Sequence, residues 1–159
     1  MDTDRVRQVE ALLDYHFNDT VYLDEALTHS SLATDRLQSN ERFEFLGDSV
    51  LSLVICKTLF ERFPAYLEGD LTKIKSRLVS RKTCATIANQ LGLPDFVRVG
   101  KGMSRTRAMS GSIAAAVLES IIAAIYLDGG MAAAERFILA KFNPLIEEAD
   151  AEQHQENFK

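Results

Sequence analysis

Residues 40–55 read NERFEFLGDSVLSLVI, and this stretch decides how the rest of the sequence is interpreted. Its apolar residues recur at the spacing of a helix that packs against a core. Three acids nevertheless occur in its first half, Glu41, Glu44 and Asp48, at positions i, i+3 and i+7. At about 100° per residue they fall within an arc of about 60° on one face of the helix. A core helix with three acids on one face needs an explanation.

A fourth acid also lies within an apolar helical segment, further along the chain. Glu119 lies in IAAAVLESIIAAIYL, where it is the one charged residue. A helix that is apolar all round belongs at the centre of a core, where acids are rarely left unpaired. Two carboxylates about 4 Å apart repel by about 4 kcal/mol at an effective dielectric near 20. A shared proton, an arginine or a divalent cation must therefore compensate.

Two interpretations of these acids stay open from the residues alone. Carboxylates at helical spacing on two facing helices, without histidine, suit hard ions such as Mg²⁺ or Mn²⁺. Such ions activate water and stabilise displacement at phosphorus. The competing interpretation is a set of salt bridges to Arg42, Arg77 or Arg81.

The 159-residue chain is long enough for one domain with a core, and its periodicity is helical almost throughout. We predict an all-α fold without a hairpin signal or an internal repeat. Residues 1–149 form the domain, and residues 150–159, which lose the apolar periodicity, form a tail or linker. The predicted helices cover 6–17, 22–33, 40–63, 69–93 as one helix or two, 111–130 and 131–146.

The net charge of −5 argues at first against a nucleic-acid partner, but the charge is unevenly distributed. Residues 71–107 hold nine Lys or Arg and one Asp, so this segment carries +8 and the remainder −13. The asymmetry fits either a surface that faces a polyanion or an ordinary solvated helix face.

Other features of the composition bear on the compartment. The charged start, MDTDRVRQVE, lacks a signal region, and no uninterrupted apolar run approaches the roughly 20 residues of a membrane span. Cys56 and Cys84 are the two cysteines, and both are predicted to be buried free thiols. We expect a cytoplasmic protein without membrane attachment.

At this point the segment NERFEFLGDSVL resembles, nearly letter for letter, the signature of the ribonuclease III family. The segment ALTHSS precedes it, and EGDLTKIKSRLVSRKT, GKGMSR and SIAAAVLESIIAAIYLDGG follow in family order, so that the resemblance covers residues 5–149. It implies an all-α endonuclease domain that forms a homodimer with two catalytic centres in one valley. Each centre would use Mg²⁺, or Mn²⁺, to cut one strand of double-stranded RNA, leaving 5′-phosphate and 3′-hydroxyl ends.

The resemblance also implies roles for individual residues. Glu44, Asp48 and Glu119 match metal ligands, and Glu41 and Glu68 match further acids of the catalytic valley. Phe45 matches an aromatic plug that enters a socket of the partner subunit, although composition alone equally fits a core phenylalanine. His29 is interpreted as a packed, hydrogen-bonded residue. The residues expected to contact RNA phosphates across the A-form minor groove are Lys73, Lys75, Arg77, Arg81, Arg105 and Arg107.

One position departs from the family pattern. Family members carry Asp three residues before the catalytic Glu, and this chain has Ala116 there. The fourth carboxylate ligand is therefore missing, so we expect the chain to be deficient in cleavage. An engineered substitution and natural divergence both explain Ala116.

Length is a second departure, because many family members carry a double-stranded-RNA-binding domain after the nuclease domain. A truncated chain and a naturally short protein both fit an end at HQENFK.

Three other functions compete with a nuclease. A non-catalytic double-stranded-RNA-binding dimer is favoured by Ala116. An all-α nucleotide pyrophosphohydrolase would need Glu-x-x-Asp on a second helix, and residues 119–122 read ESII instead. A helical scaffold would use its acids only in salt bridges.

Overall fold

The computed structural model describes residues 1–103 and 111–157, and these are helical apart from turns and one isolated bridge between Thr28 and Arg98. The predicted all-α fold is confirmed. The helices are α1 Thr3–Leu13, α2 Thr20–Ala26, α3 Glu41–Arg62, α4 Glu68–Leu78, α5 Arg81–Leu91 and α6 Gly111–Asn157, with short 3₁₀ turns at Arg36–Gln38 and Leu93–Phe96.

Local chemistry explains where the middle helices begin and end. Helix α3 ends at Arg62, two residues before Pro64, which cannot continue a helix. The segment 69–93 forms two helices because the Ser80 side chain caps α5 by accepting a hydrogen bond from the Thr83 amide at 3.1 Å. Helix α5 closes at Gly92, whose φ of 77° suits a left-handed C-terminal cap.

Helix α6 runs from Gly111 to Asn157 but is broken at Gly130, where φ is 86° and ψ is 179°. The break corresponds to the stop that the sequence predicted at Gly129 and Gly130. The first part is the centre of the core, since Ala114 to Ile125 are buried apart from Ala116, which is half-buried. Helix α6 as a whole packs mainly against α3 and α5.

Helix α6 also contains an 18-residue window with the composition of a membrane-spanning segment, with a mean hydropathy of 1.6. However, 61% of that window is buried inside the protein. Burial of this extent is what the central helix of a folded domain shows.

One expectation about burial was wrong, and the end of the chain has regular structure. Residues 150–157, which the sequence assigned to a tail or linker, continue α6 to Asn157. The Tyr66 hydroxyl donates to Asp150 at 2.6 Å, and Arg77 pairs with Glu152 at 3.4 Å. Cys84 is buried as predicted, but Cys56 is exposed on α3.

Candidate functional site: a carboxylate cleft between helices

Helices α3 and α6 cross at Gly47, where their backbones nearly touch. A Cβ atom placed on Gly47 would lie 1.7 Å from the carbonyl oxygen of Glu119. Real Cβ atoms essentially never approach so closely, so the crossing requires glycine. The contact sets Glu44 and Asp48, which flank Gly47 along α3, against the turn of α6 that carries Glu119.

The crossing opens onto a cleft of about 620 Å³. Four of the predicted acids line it, namely Glu41, Glu44, Asp48 and Glu119, and Ala116 lies among them. Only Glu119 is buried, with 7% of its surface exposed. Asp48 faces solvent although its helix packs against the core, because the cleft brings water to that side of α3.

Asp48 and Glu119 form a carboxyl pair. Burial, a hydrogen bond to the Asp48 side chain and the negative charges of Asp48 and Glu44 raise the pKa of Glu119 to about 8. Glu119 therefore holds a proton at neutral pH, and its carboxyl group donates a hydrogen bond to Asp48. The shared proton is one of the three forms of compensation that the sequence left open.

The negative charge of Glu44 is compensated by an arginine. Its Oε1 lies 3.3 Å from Nη2 of Arg81, which reaches across from α5. This pairing was one of the salt bridges named as an alternative to a metal site. Within residues 1–103 and 111–157, no three His, Cys, Asp or Glu side chains converge closely enough to hold one ion. The donor chemistry of Glu44, Asp48 and Glu119 fits a hard cation, but Glu44 is engaged elsewhere.

Glu41 is compensated by an arginine that the sequence analysis missed. Nε and Nη2 of Arg36 donate to its carboxylate at 3.0 and 3.2 Å, and this interaction lowers the pKa of Glu41. His29 lines the same wall, and its Nδ1 accepts a hydrogen bond from the Ser31 amide at 3.1 Å. The histidine is thus hydrogen-bonded, as predicted.

Glu68 is the one predicted catalytic acid that the fold does not bring to the cleft. It is exposed in the first turn of α4 and accepts a hydrogen bond from the Thr72 hydroxyl at 2.9 Å. The described chain offers no contact between Glu68 and the other acids, so its assignment to the catalytic valley stays a prediction.

The predicted RNA-binding cations are dispersed. Arg81 lines the carboxylate cleft, whereas Lys73 and Arg77 line a second groove, of about 810 Å³, between α4, α5 and the end of α6. Lys75 is half-buried and lines neither. Arg105 and Arg107 lie outside the described residues.

Arg77 is less accessible than the sequence suggested. Its side chain is 26% exposed, and it pairs with Glu156 at 2.5 Å as well as with Glu152. A phosphate would have to displace both carboxylates from the guanidinium.

Phe45 projects from the cleft and is 79% exposed, so it is not a core residue. Leu53, Cys56 and Phe60 are also exposed on α3. At about 100° per residue, these four side chains fall within an arc of about 80°. They form an apolar face along the helix, interrupted by the exposed Ser49, which we call the α3 apolar face.

The base of the cleft depends on a buried link that sequence reasoning missed. Ser120, which is fully buried, donates a hydrogen bond to the carbonyl of Asn40 at 3.2 Å. The Asn40 amide in turn donates to the Thr28 carbonyl at 2.8 Å. A serine directly after the buried Glu119 was the available signal, but its partner lies 80 residues away.

Comparison with known proteins agrees with this geometry. A family profile described as Ribonuclease-III-like matches residues 19–145. The chain is 50% identical over 126 residues to Ribonuclease 3 of Rhodopirellula baltica, covering 79% of this chain and 47% of that protein. It is 48% identical over 139 residues to Ribonuclease 3 of Legionella pneumophila strain Corby, covering 87% of this chain and 61% of that protein.

A solved structure is also similar. The nuclease domain of ribonuclease III from Campylobacter jejuni, described for flexibility in a region involved in dimer formation, has a TM-score of 0.80 and 39% identity. The match covers 87% of this chain and 99% of that one.

The all-α fold, the carboxylate cleft and these matches together define the class of the domain, which is an endonuclease domain. The chain belongs to the ribonuclease III family and corresponds to its endonuclease domain. It spans 47% to 61% of the length of the two curated relatives.

Proposed function

We propose that this domain is an endoribonuclease module that acts on double-stranded RNA as a homodimer with Mg²⁺, and that Ala116 impairs its cleavage. The observation that carries the proposal is that Glu44, Asp48 and Glu119 line one cleft beside the Gly47 crossing. The expected products carry 5′-phosphate and 3′-hydroxyl ends.

Glu44, Asp48 and Glu119 would hold the ion, since carboxylate oxygens are the ligands that Mg²⁺ prefers. When bound, Mg²⁺ supplies an activated water and neutralises charge at phosphorus. Glu119 must first lose its proton, so occupation of the site is coupled to deprotonation. Because its pKa is about 8, this step has a free-energy cost at neutral pH.

Ala116 supports impairment because it lines the cleft with a methyl group one helical turn before Glu119. A missing anionic ligand weakens the hold on the ion and loosens its geometry, and a misplacement of about 1 Å can cost about 100-fold in rate.

The second candidate function, a non-catalytic double-stranded-RNA-binding dimer, is favoured by the same residue. In that case the paired carboxylates would only stabilise the fold.

The test is the substitution Ala116→Asp, which restores a fourth carboxylate. We expect the chain as given to cut a perfect RNA duplex at least about 100-fold more slowly in Mg²⁺ than the Ala116→Asp variant. Glu119→Gln in the Ala116→Asp background is the matched control, because it keeps the side-chain shape and removes the ability to ionise and bind the cation.

Equal rates for the chain and the Ala116→Asp variant would show that position 116 carries no necessary ligand. Duplex binding without cleavage by either protein would support the non-catalytic function.

A further inference from the structure

Arg81 reaches across the carboxylate cleft and joins three helices. From the first turn of α5, its Nη2 lies 3.3 Å from Glu44 Oε1 on α3. Its Nη1 donates to the carbonyl of Ser112 on α6 at 3.4 Å. Among the described residues that line the cleft, Arg81 is the one Lys or Arg.

The position of Arg81 in its own helix is unfavourable. It follows the N-cap Ser80, and cations near a helix N-terminus oppose the helix dipole. Interactions within α5 therefore do not explain why an arginine occupies this position or why its side chain extends across the cleft. Its orientation is explained by the contacts across the cleft, above all by Glu44.

The contact with Glu44 has a consequence for the other acids. Asp48 and Glu119 already pair with each other, whereas the Oε1 of Glu44 is held by the guanidinium. As noted above, no three acids of the described chain converge on one point. A divalent cation would compete with Arg81 for the same oxygen and would also be repelled by its charge.

We propose that Arg81 is a positioning residue that latches Glu44 away from the metal site, so that divalent metal and the guanidinium exclude each other at this carboxylate. This inference rests on the proposed function. Once Glu44 joins Asp48 and Glu119, the guanidinium at the wall of the cleft is free to take an anionic phosphate oxygen of the substrate in place of the carboxylate.

The test measures Mn²⁺ affinity directly, by titrating the full chain and following free Mn²⁺ by electron paramagnetic resonance. Arg81→Gln should bind Mn²⁺ about three- to tenfold more tightly than the chain as given, which is the range expected for loss of a partly exposed ion pair plus a repulsive charge. Arg81→Lys, which keeps the charge, should fall between the two.

Lys82→Gln is the matched control. It removes the same charge from the same helical turn, and Lys82 is exposed and makes no ion pair in the described parts of the chain. Its Mn²⁺ affinity should stay within about twofold of the chain as given, since charges in contact with water are screened.

The outcomes separate the latch from the proposed function. If the chain and Arg81→Gln bind Mn²⁺ with equal affinity, the latch is overturned, whether or not the variant has a lower melting temperature. The contact between Arg81 and Glu44 is then only a structural ion pair, and the proposed metal site is unaffected. Absence of Mn²⁺ binding in the chain and in every variant overturns both the latch and the metal-dependent function.

Discussion

Glu119 holds its proton at neutral pH because its carboxyl is buried beside Asp48. In the unfolded chain the same group ionises near pH 4.5, so the folded state binds the proton more tightly. The stability that comes from the protonated form is fully present below about pH 4.5. It is lost as the pH rises to about 8, because the unfolded state gains ionisation free energy that the folded state does not.

In the presence of a metal chelator, Glu119→Gln should remove this loss of folding stability at rising pH, because a neutral amide replaces the titrating acid. We expect its stability advantage over the parent chain to grow between about pH 5 and 8 and to reach on the order of 3 kcal/mol, allowing for solvent in the open cleft. Urea unfolding at pH 5, 6.5 and 8.5 measures it. The exposed Glu147→Gln is the control, and an advantage independent of pH would contradict the assignment.

The site acids show what sequence spacing can and cannot reveal. The i, i+3, i+7 pattern of Glu41, Glu44 and Asp48 predicted a shared face, and these side chains do line one cleft with Glu119. Which acid pairs with which cation depends on contacts between distant segments. Arg81 was one of several arginines that fitted Glu44, and Arg36 was not considered for Glu41.

The pair of helices α3 and α6 depends on the absence of a side chain at residue 47. Alanine favours an isolated helix over glycine by about 1 kcal/mol. At this crossing, however, the added Cβ would meet backbone atoms of Glu119, which cannot rotate away as a side chain can. Tertiary contact therefore outweighs helix propensity at this position.

We expect Gly47→Ala to destabilise the domain by at least about 3 kcal/mol, or to prevent folding, because α3 and α6 must separate. Gly69→Ala is the control within another helix, since a Cβ there meets nothing within 4 Å, and it should be neutral or slightly stabilising. Thermal unfolding compares the two variants. A stable Gly47→Ala protein with an unchanged melting temperature would show that the helices tolerate a wider spacing.

The ends of the helices were predictable where local signals decide them. Pro64 explains the end of α3, and the cap at Ser80 divides 69–93, a choice the sequence left open. The order of residues 150–157 was missed because its stabilising partners are remote. Tyr66, for example, lies 84 residues before Asp150, and no short-range periodicity reports such a contact.

The molecule as a whole presents the α3 apolar face to solvent, and a second copy related by a two-fold axis would cover it. Phe45, whose side chain is 79% exposed, places an aromatic ring in solvent beside the cleft. Burying an aromatic residue at the centre of such an interface stabilises association by about 2 kcal/mol or more.

Phe45→Ala should therefore weaken the homodimer by about 30-fold or more while leaving the monomer folded, because the ring contacts little of its own chain. Sedimentation equilibrium gives the dissociation constants. Val21→Ala removes an exposed apolar side chain from α2 and should have no comparable effect. A chain that is monomeric at micromolar concentrations before any substitution would refute the proposed homodimer.

The break in α6 at Gly130 also has a consequence for the length of the molecule. A straight 47-residue helix would be about 70 Å long, whereas a domain of this size is about 40 Å across. The backbone angles at Gly130 are ones that essentially only glycine adopts. An alanine there would favour a continuous rod and carry residues 131–157 away from their own core.

Those residues include Ile138 and Phe142, which are buried and would then be exposed. The surface they leave behind is identical in every copy, so the displaced helix can dock onto a neighbouring molecule that has lost its own. We expect Gly130→Ala to form exchanged, elongated assemblies, visible in small-angle scattering as a maximum dimension well above that of a Gly111→Ala control. An unchanged dimension would mean that the bend survives without glycine. On this account Gly130 keeps residues 131–157, more than half of α6, folded onto their own chain and so disfavours domain swapping.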